Sequence, residues 1–523
     1  MNAFLQIVAQ LVESVPGDVW LEQRFFPFHE LKSPRARLFD AVFFSQGAHG
    51  ALGILWIQFE GCEDELVNLP FRLARYSEDG DLISLSPWSL REASGDSDLY
   101  ESWRRTLRAQ NPVRTARDGC FTHRYAHGEP GLVALSIWSD TRNTCVRLES
   151  QEAYKIFRTF NRFTPDCMEV EVLEYLNQQD QFLNYPKVVS VFEYSSKEIK
   201  KAHVAFSSRY IHNQGTIWHD LTVRVQHARF PQPMQESSSH EAWDSVLRTA
   251  EQLGRLIGEF HQAMARAREN PRLMPESNTG SARGNWLAMM TERLDWRLSE
   301  VVQTSHVLFG GAFDLSRAQA YRDRILARVA AIEHLGLLIR VHGHAHLGQI
   351  LLSNDQLFLL DFEADTLDDP KYREQKHSAL KDVASIILSL RYCWMSTERS
   401  SFSHVFSDFI DPDSEFGRHV QSTRRQYVEP RTYAPRFEEI ASVFLRFYRN
   451  TVLEDSGSAE LVPAEASDFD AVLKLYSFMR ILKETLRDYE AGNPRAKLTL
   501  RMLEEFVALE MGDEPPSLTG TGP

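Results

Sequence analysis

The stretch LIRVHGHAHLGQILLSNDQLFLLDFEAD, Leu338 to Asp365, constrains this chain more than any other. It reads as a polar turn with three alternating histidines (His342, His344, His346), then a β-hairpin, then a carboxylate pair, Asp361 and Glu363. Apolar residues run straight into Asp361, and Phe362 separates it from Glu363. Carboxylate oxygens at a strand end are hard donors of the kind Mg²⁺ prefers, and a following Phe can pack beneath to hold them.

A chain of 523 residues is long enough for two or three cores, since single cores stop growing near ~250 residues. Its net charge of −14 argues against a general nucleic-acid surface, which needs Lys and Arg to displace phosphate counterions. A local cleft can still attract an anionic cosubstrate. The five cysteines (Cys62, Cys120, Cys145, Cys167, Cys393) are odd in number and scattered. That fits a reducing compartment rather than a disulfide framework or zinc finger. Glu13 interrupts the apolar character of MNAFLQIVAQLVESVPGD, which reads as an amphipathic helix rather than a signal peptide. No apolar run approaches the ~20 residues needed to cross a bilayer. The expected location is cytoplasmic, with no nucleic-acid or membrane partner, as a monomer or weak homodimer.

Residues 1–125 read as a strand-rich cap: Ala41–Phe44 and Ile54–Phe59 are short apolar runs followed by Gly61 and Gly80, and DLYESWRRTLRAQN is an exposed helix. Residues 126–212 read as strand, strand, helix, strand. Leu132–Trp138 and Thr144–Leu148 form a hairpin across Ser139–Asn143, and Tyr154–Phe160 is a third strand. Met168–Asn177 is a helix, followed by strands Val188–Tyr194 and Val204–Ile211. Residues 213–512 are mostly helical. Val246, Ala250, Leu253, Ile257 and Phe260 recur at helical spacing, and 284–303, 315–335, 380–396, 436–455 and 466–490 behave likewise. Residues 513–523, rich in Pro and Gly, are expected to be a disordered tail. The expected class is therefore α+β: a bilobal protein-kinase-like fold with a β-rich cap, a β-rich N-lobe and a larger helical C-lobe. Neither a Rossmann nor a P-loop glycine fingerprint is present, so a nucleotide would lie between the lobes.

Phosphoryl transfer needs a lysine on the phosphates, an acid fixing it, oxygen ligands for the metal, and a group orienting the nucleophile. Lys155 sits inside an alternating strand, EAYKIF, where a charge would face the cleft. Glu169 and Glu171 follow on the next helix, and Glu171 is the expected partner. Gln349 can add a neutral oxygen ligand to Asp361 and Glu363, as a catalytic-loop Asn does in protein kinases. A competing reading takes the three histidines as one face of an extended strand, ligating zinc or iron. It lacks an HExxH motif or a second histidine pair.

The segments HGHAHLGQILL, LFLLDFEAD and KHSALKDVASIILSLRY together resemble the maltokinase family, in the aminoglycoside-phosphotransferase-like branch of the kinase fold. The family pattern runs H-G-D-x-H-L-G-Q-V-L, L-D-F-E, K-x-S-P-L-R-D-V-A. Further likeness lies in QRFFPFHELKSPRARLFD, ILWIQFEGCEDELVNLPFRL, RNTCVRLESQEAYKIFRTFNRFTPDCMEVEVLEYL, LGRLIGEFHQAMA and ETLRDYEAGNPR. The resemblance implies an ATP- and Mg²⁺-dependent kinase that phosphorylates a sugar hydroxyl, of maltose or a related sugar or amino sugar. Lys155 and Glu171 would bind the phosphates, with Asn143 and Thr144 in the turn above them. Ser208, Tyr210 and Ile211 would form the adenine hinge. Gln349, Asp361 and Glu363 would hold the metal, and His346, Asp382, Tyr489 and Glu490 would border the sugar.

The family's catalytic aspartate aligns with His344. A neutral imidazole can take a hydroxyl proton, but it contributes no fixed negative charge. A missing general base costs ~10²–10⁴-fold, whereas positioning and charge neutralisation dominate phosphoryl transfer. Asn493-Pro494-Arg495-Ala496-Lys497 replaces the family's R-P-x-W. The alternative is therefore a pseudokinase that binds nucleotide or sugar as a regulatory module.

Overall fold

The computed structural model describes residues 3–23, 26, 28, 31–76, 81–124, 134–139, 143–148, 151–163, 167–229, 236–309, 315–365, 368–397, 434–454, 460–491, 493 and 495–512. Gly80, most of the Ser139–Asn143 turn and the 513–523 tail lie outside the described residues. The chain divides into two compact units. One comprises Met1–Gln178 with Pro186–His212, the other Gln179–Tyr185 with Asn213–Pro523.

The first unit is built on two antiparallel sheets. The strands Ala36–Gly47, Gly50–Phe59 and Cys62–Ala74 form a meander. Its middle strand is buried almost throughout, because both its faces are covered. Leu52, Ile54 and Trp56 join one core with Tyr154, Ile156 and Phe192 of the second sheet. Ala51, Leu55, Ile57 and Phe59 join another with Leu5, Val8 and Leu11 of the helix Ala3–Ser14. A strand covered on both faces reads as a continuous apolar run rather than an alternating one, which accounts for ILWIQF. Trp56 stacks on Tyr194 with ring centroids 4.1 Å apart.

The second sheet runs, in spatial order, Val113–Arg114, Cys120–Arg124, Val188–Ser195, Ala202–Arg209, Glu152–Phe157, Asn143–Leu148, Ala134–Ser139. The two sheets are tied by Asn68, whose buried amide donates to the carbonyls of Phe157 and Val204 at 2.9 Å each. The expected third strand breaks into Glu152–Phe157 and Thr159–Asn161. Its second piece leaves to pair with the first sheet. The expected helix forms over Met168–Asn177.

The second unit is mainly helical. Leu380–Ser396 and Ala466–Glu490 match the helical periodicity, and Glu236–Ala265 and Ala434–Glu454 pack side by side. Gly254 permits that approach: a Cβ there would stand 2.5 Å from the carbonyl oxygen of Phe444. The hairpin pairs Ile350–Ser353 with Gln356–Leu359. Asn354 and Asp355, both at positive φ (48° and 61°), turn it, as a two-residue hairpin turn of matching twist requires. Among the described residues no helix is long and apolar enough to cross a membrane. None of the five cysteines forms a disulfide.

Candidate functional site

In the first unit, strand alternation sends Tyr154 and Ile156 into the core and leaves Lys155 on the opposite face. There its ammonium donates to Glu169 Oε2 at 2.7 Å, with the two side chains only 12% and 3% exposed. The carboxylate in this pair is therefore Glu169, and the expectation of Glu171 is corrected. Residues two apart on a helix point about 200° from one another, so one of the two acids faces the strand most directly. Glu169 is the buried one and Glu171 is half-buried.

Asn143 and Thr144 do not sit in a turn. They open the strand Asn143–Leu148, opposite Phe157 and Ile156. Both are buried, and the Thr144 hydroxyl accepts from Arg158 Nε at 2.8 Å. Ser208 is buried inside the strand Ala202–Arg209. Tyr210 and Ile211 follow the strand, with the Tyr210 N–H bonded to the Gln151 carbonyl and its ring beneath Arg147.

In the second unit the histidine loop is held by one buried acid. Asp382, in the first turn of Leu380–Ser396, accepts from the backbone N–H of His342 at 2.7 Å and of Gly343 at 2.8 Å. His261 Nε2 lies 3.1 Å from the same carboxylate, and His261 Nδ1 is 3.0 Å from the Tyr448 hydroxyl. Burial opposes the charge on Asp382, yet the His261 contact and the loop N–H groups hold its pKa below the ordinary carboxylate range. Asp382 thus clamps the loop from below, fully buried, and is not a border of a sugar pocket. Gly343, at φ +80°, makes the bend possible; a Cβ there would stand 2.9 Å from that of Ala364.

The bend also removes the histidine-metal reading. His342 Nε2 meets the Leu360 carbonyl at 2.7 Å, so it must carry the proton, and its Nδ1 accepts from the His344 N–H at 3.3 Å. His346 Nδ1 accepts from the Gly348 N–H at 3.0 Å and caps the short turn Leu347–Gln349. The loop is not an extended strand, and its three imidazoles take three different partners instead of sharing a face.

Beside the loop, Gln349 Nε2 donates to Asp361 Oδ2 at 2.8 Å. Asp361 occupies left-handed backbone, φ +62°, a region uncommon for residues other than glycine and concentrated at functional corners. Phe362 is buried beneath, against Phe260 and His342. Asp361 and Glu363 are half-buried. The amide nitrogen of Gln349 faces Asp361, which leaves its amide oxygen available. Two carboxylates and one amide oxygen are a donor set that fits Mg²⁺.

Sequence reasoning missed Asp365. Its Oδ2 lies 3.1 Å from His344 Nδ1, 2.5 Å from Lys483 Nζ and 3.4 Å from Arg480. Lys483 also reaches Asp368 at 2.8 Å, which Arg293 and Arg297 approach at 3.0 Å each. Burial pushes the Lys483 pKa down to about 8. Burial acts against the Asp365 charge too, but His344, Lys483 and Arg480 outweigh it and hold its pKa well below the ordinary range.

A cavity of about 290 Å³ opens next to this cluster, walled by Trp218, His346, Ser389, Tyr392, Arg480 and Arg487 among others. Burial pushes His346 down to about 3, so its ring is neutral. Glu484 also lines the cavity and pairs with Arg480 at 2.6 Å and Arg487 at 2.5 Å. His346 lines this cavity. Tyr489 and Glu490 do not: the wall comes from Glu484 and Arg487, a turn earlier on the same helix.

No family model matches the chain. It is similar to solved structures of glucosamine kinase. One is the complex with glucosamine, ADP and inorganic phosphate, at 18% identity and TM-score 0.59 over 97% of this chain and 99% of that one. Two crystal forms of glucosamine kinase give TM-scores of 0.61 and 0.58, again at 18% identity, covering 97% of this chain. The likeness establishes the fold: mixed α+β and kinase-like, as expected from the element order.

Proposed function

We propose that this chain is an ATP- and Mg²⁺-dependent phosphotransferase that acts on a sugar hydroxyl. The observation that carries the reading is the buried ion pair of Lys155 and Glu169. An ammonium shielded from water and held against a carboxylate is built to grip an anion such as a triphosphate. Asp361, Gln349 and Glu363 would hold the metal, which when bound neutralises charge on the phosphates. His344 takes the place of the base, and the cavity beside His346 takes the acceptor. The glucosamine kinase complex holds glucosamine and ADP, which puts an amino sugar beside maltose as a candidate acceptor.

The test is ADP release with maltose, glucose, glucosamine and trehalose in turn. Turnover with one of them supports the reading, and background rates with all four sink it. A second reading, a nucleotide- or sugar-binding pseudokinase, is favoured by the imidazole of His344 standing in place of a carboxylate. It predicts retained ATP binding by calorimetry and no transfer even in His344→Asp.

A further inference from the structure

His344 and Asp365 stand in a relation that a purely structural loop does not need. The loop backbone is already secured by Asp382, and Arg340 anchors its entry by donating to the carbonyls of Arg373 and Gln375. The His344 side chain is left with a different task. Its Nδ1 lies 3.1 Å from Asp365 Oδ2, and its ring packs edge-on, 4.7 Å away, against His346, which lines the cavity. A carboxylate only accepts hydrogen bonds when ionised. The 3.1 Å approach is an ion-pair contact rather than a formed hydrogen bond; a small turn of the ring that lets Nδ1–H donate to this carboxylate leaves Nε2 bare.

We propose that Asp365 is a positioning residue: it fixes the tautomer and orientation of His344, so that Nε2 is the proton acceptor for the sugar hydroxyl. The proposal rests on the phosphotransferase reading above. In the step, the acceptor oxygen forms its bond to the γ-phosphorus of ATP while the bond from that phosphorus to the β–γ bridging oxygen breaks. ADP leaves with that electron pair. The hydroxyl proton passes to His344 Nε2 and then to solvent. A missing carboxylate at the loop is thereby replaced by two groups, a ring that accepts the proton and an acid behind it that stabilises the resulting imidazolium.

The surroundings suit the role. Asp365 is 3% exposed and His344 is 19% exposed, so the acid is interior and the ring is reachable. Lys483 and Arg480, both from the helix Ala466–Glu490, contact the same Asp365 Oδ2 that faces His344. Arg480 also lines the cavity, so the same helix places the acid and shapes the acceptor wall.

Two measurements test it. In Asp365→Asn, assayed by ADP release, kcat is expected to fall ~10²-fold or more with little change in the acceptor KM. The pH profile of kcat/KM is expected to differ from that of the wild type. The groups facing the ring are Asp365, His342 and His346, with Arg480 and Lys483 on the same Asp365 oxygen. Because the Asp365→Asn change would leave two cations short of a partner, the second measurement uses the wild-type protein: ¹⁵N-histidine NMR, with His344→Gln for assignment. The expected neutral form of His344 is the Nδ1–H tautomer. An Nε2–H tautomer, or wild-type kcat with an unshifted profile in Asp365→Asn, overturns the role of Asp365 alone. Failure of the wild type to turn over any of the four sugars overturns the phosphotransferase reading, and this inference with it.

Discussion

Lys155 and Glu169 lie 14 residues apart, on a strand and on the helix that follows it, and meet at 2.7 Å with almost no exposure to water. Two charges so enclosed add little net stability, but breaking such a pair leaves an uncompensated buried charge. Lys155→Met is expected to lower kcat/KM by ~10²–10³-fold, the usual effect of removing one preorganised group at developing charge. Glu169→Gln should cost more activity than Glu171→Gln. Side-by-side ADP-release assays of the three variants check this, and a larger loss at Glu171 would reassign the pair.

Asp361→Asn is expected to remove transfer and leave the fold intact. Asn tolerates left-handed backbone as well as Asp does, so φ +62° at this corner is no obstacle. Activity should fall at least ~10²-fold while the thermal midpoint stays within a few degrees. A large drop in the midpoint would show the carboxylate to be structural.

Asp382 matters for stability before chemistry. Asp382→Ala strands two buried N–H groups, those of His342 and Gly343, and removes the partner of His261. Each unsatisfied buried group costs ~1–3 kcal/mol, so a loss of ~3–5 kcal/mol is expected in urea unfolding. The pH dependence follows from its lowered pKa. The folded chain binds this proton less readily than the unfolded one, whose Asp titrates near ~3.9. The Asp382 contribution is thus fully present above that pH and is lost as pH falls through the lower folded value. Acid unfolding of the wild type should be steeper below pH ~4 than that of Asp382→Ala.

Gly343→Ala meets both a strained φ of +80° and a Cβ contact at 2.9 Å with Ala364. Strain of this kind costs ~1–3 kcal/mol. Because the bend aims His344 and His346, activity should fall further than stability, measured as kcat against the urea midpoint.

Arg487→Ala alters the cavity proposed to take the acceptor, at a half-buried position. It is expected to raise the sugar KM several-fold and leave the ATP KM unchanged, since Arg487 lines the cavity and pairs with Glu484. An effect on ATP alone would move the acceptor elsewhere.

Much of this molecule could be read from local pattern. The helix at Met168–Asn177, the helices at Leu380–Ser396 and Ala466–Glu490, and the loop, hairpin and acid pair of Leu338–Asp365 follow from apolar period and from where polar residues interrupt it. These are short-range properties: side-chain spacing alone sets which face of a helix or strand can be buried. The same logic put Lys155 on the face away from the core. It could not choose between Glu169 and Glu171, nor see that Asp382 turns inward, because each depends on how a helix is rotated against its neighbour.

Three histidines at alternate positions had suggested a metal face on the sequence alone. Tertiary packing dissolved that face by bending the chain at Gly343 and giving each ring its own partner. Asp365 stood in plain view at the end of LFLLDFEAD, yet nothing local distinguishes it from a solvated acid. Its importance comes from Arg480 and Lys483, the former 115 residues further along, delivered by a helix several elements later in the chain. Periodicity and turn chemistry act between near neighbours, so residue order is enough to specify the elements. Which charges meet is decided by long-range packing, where burial makes each unpaired group costly and leaves the helices few rotations that satisfy them all.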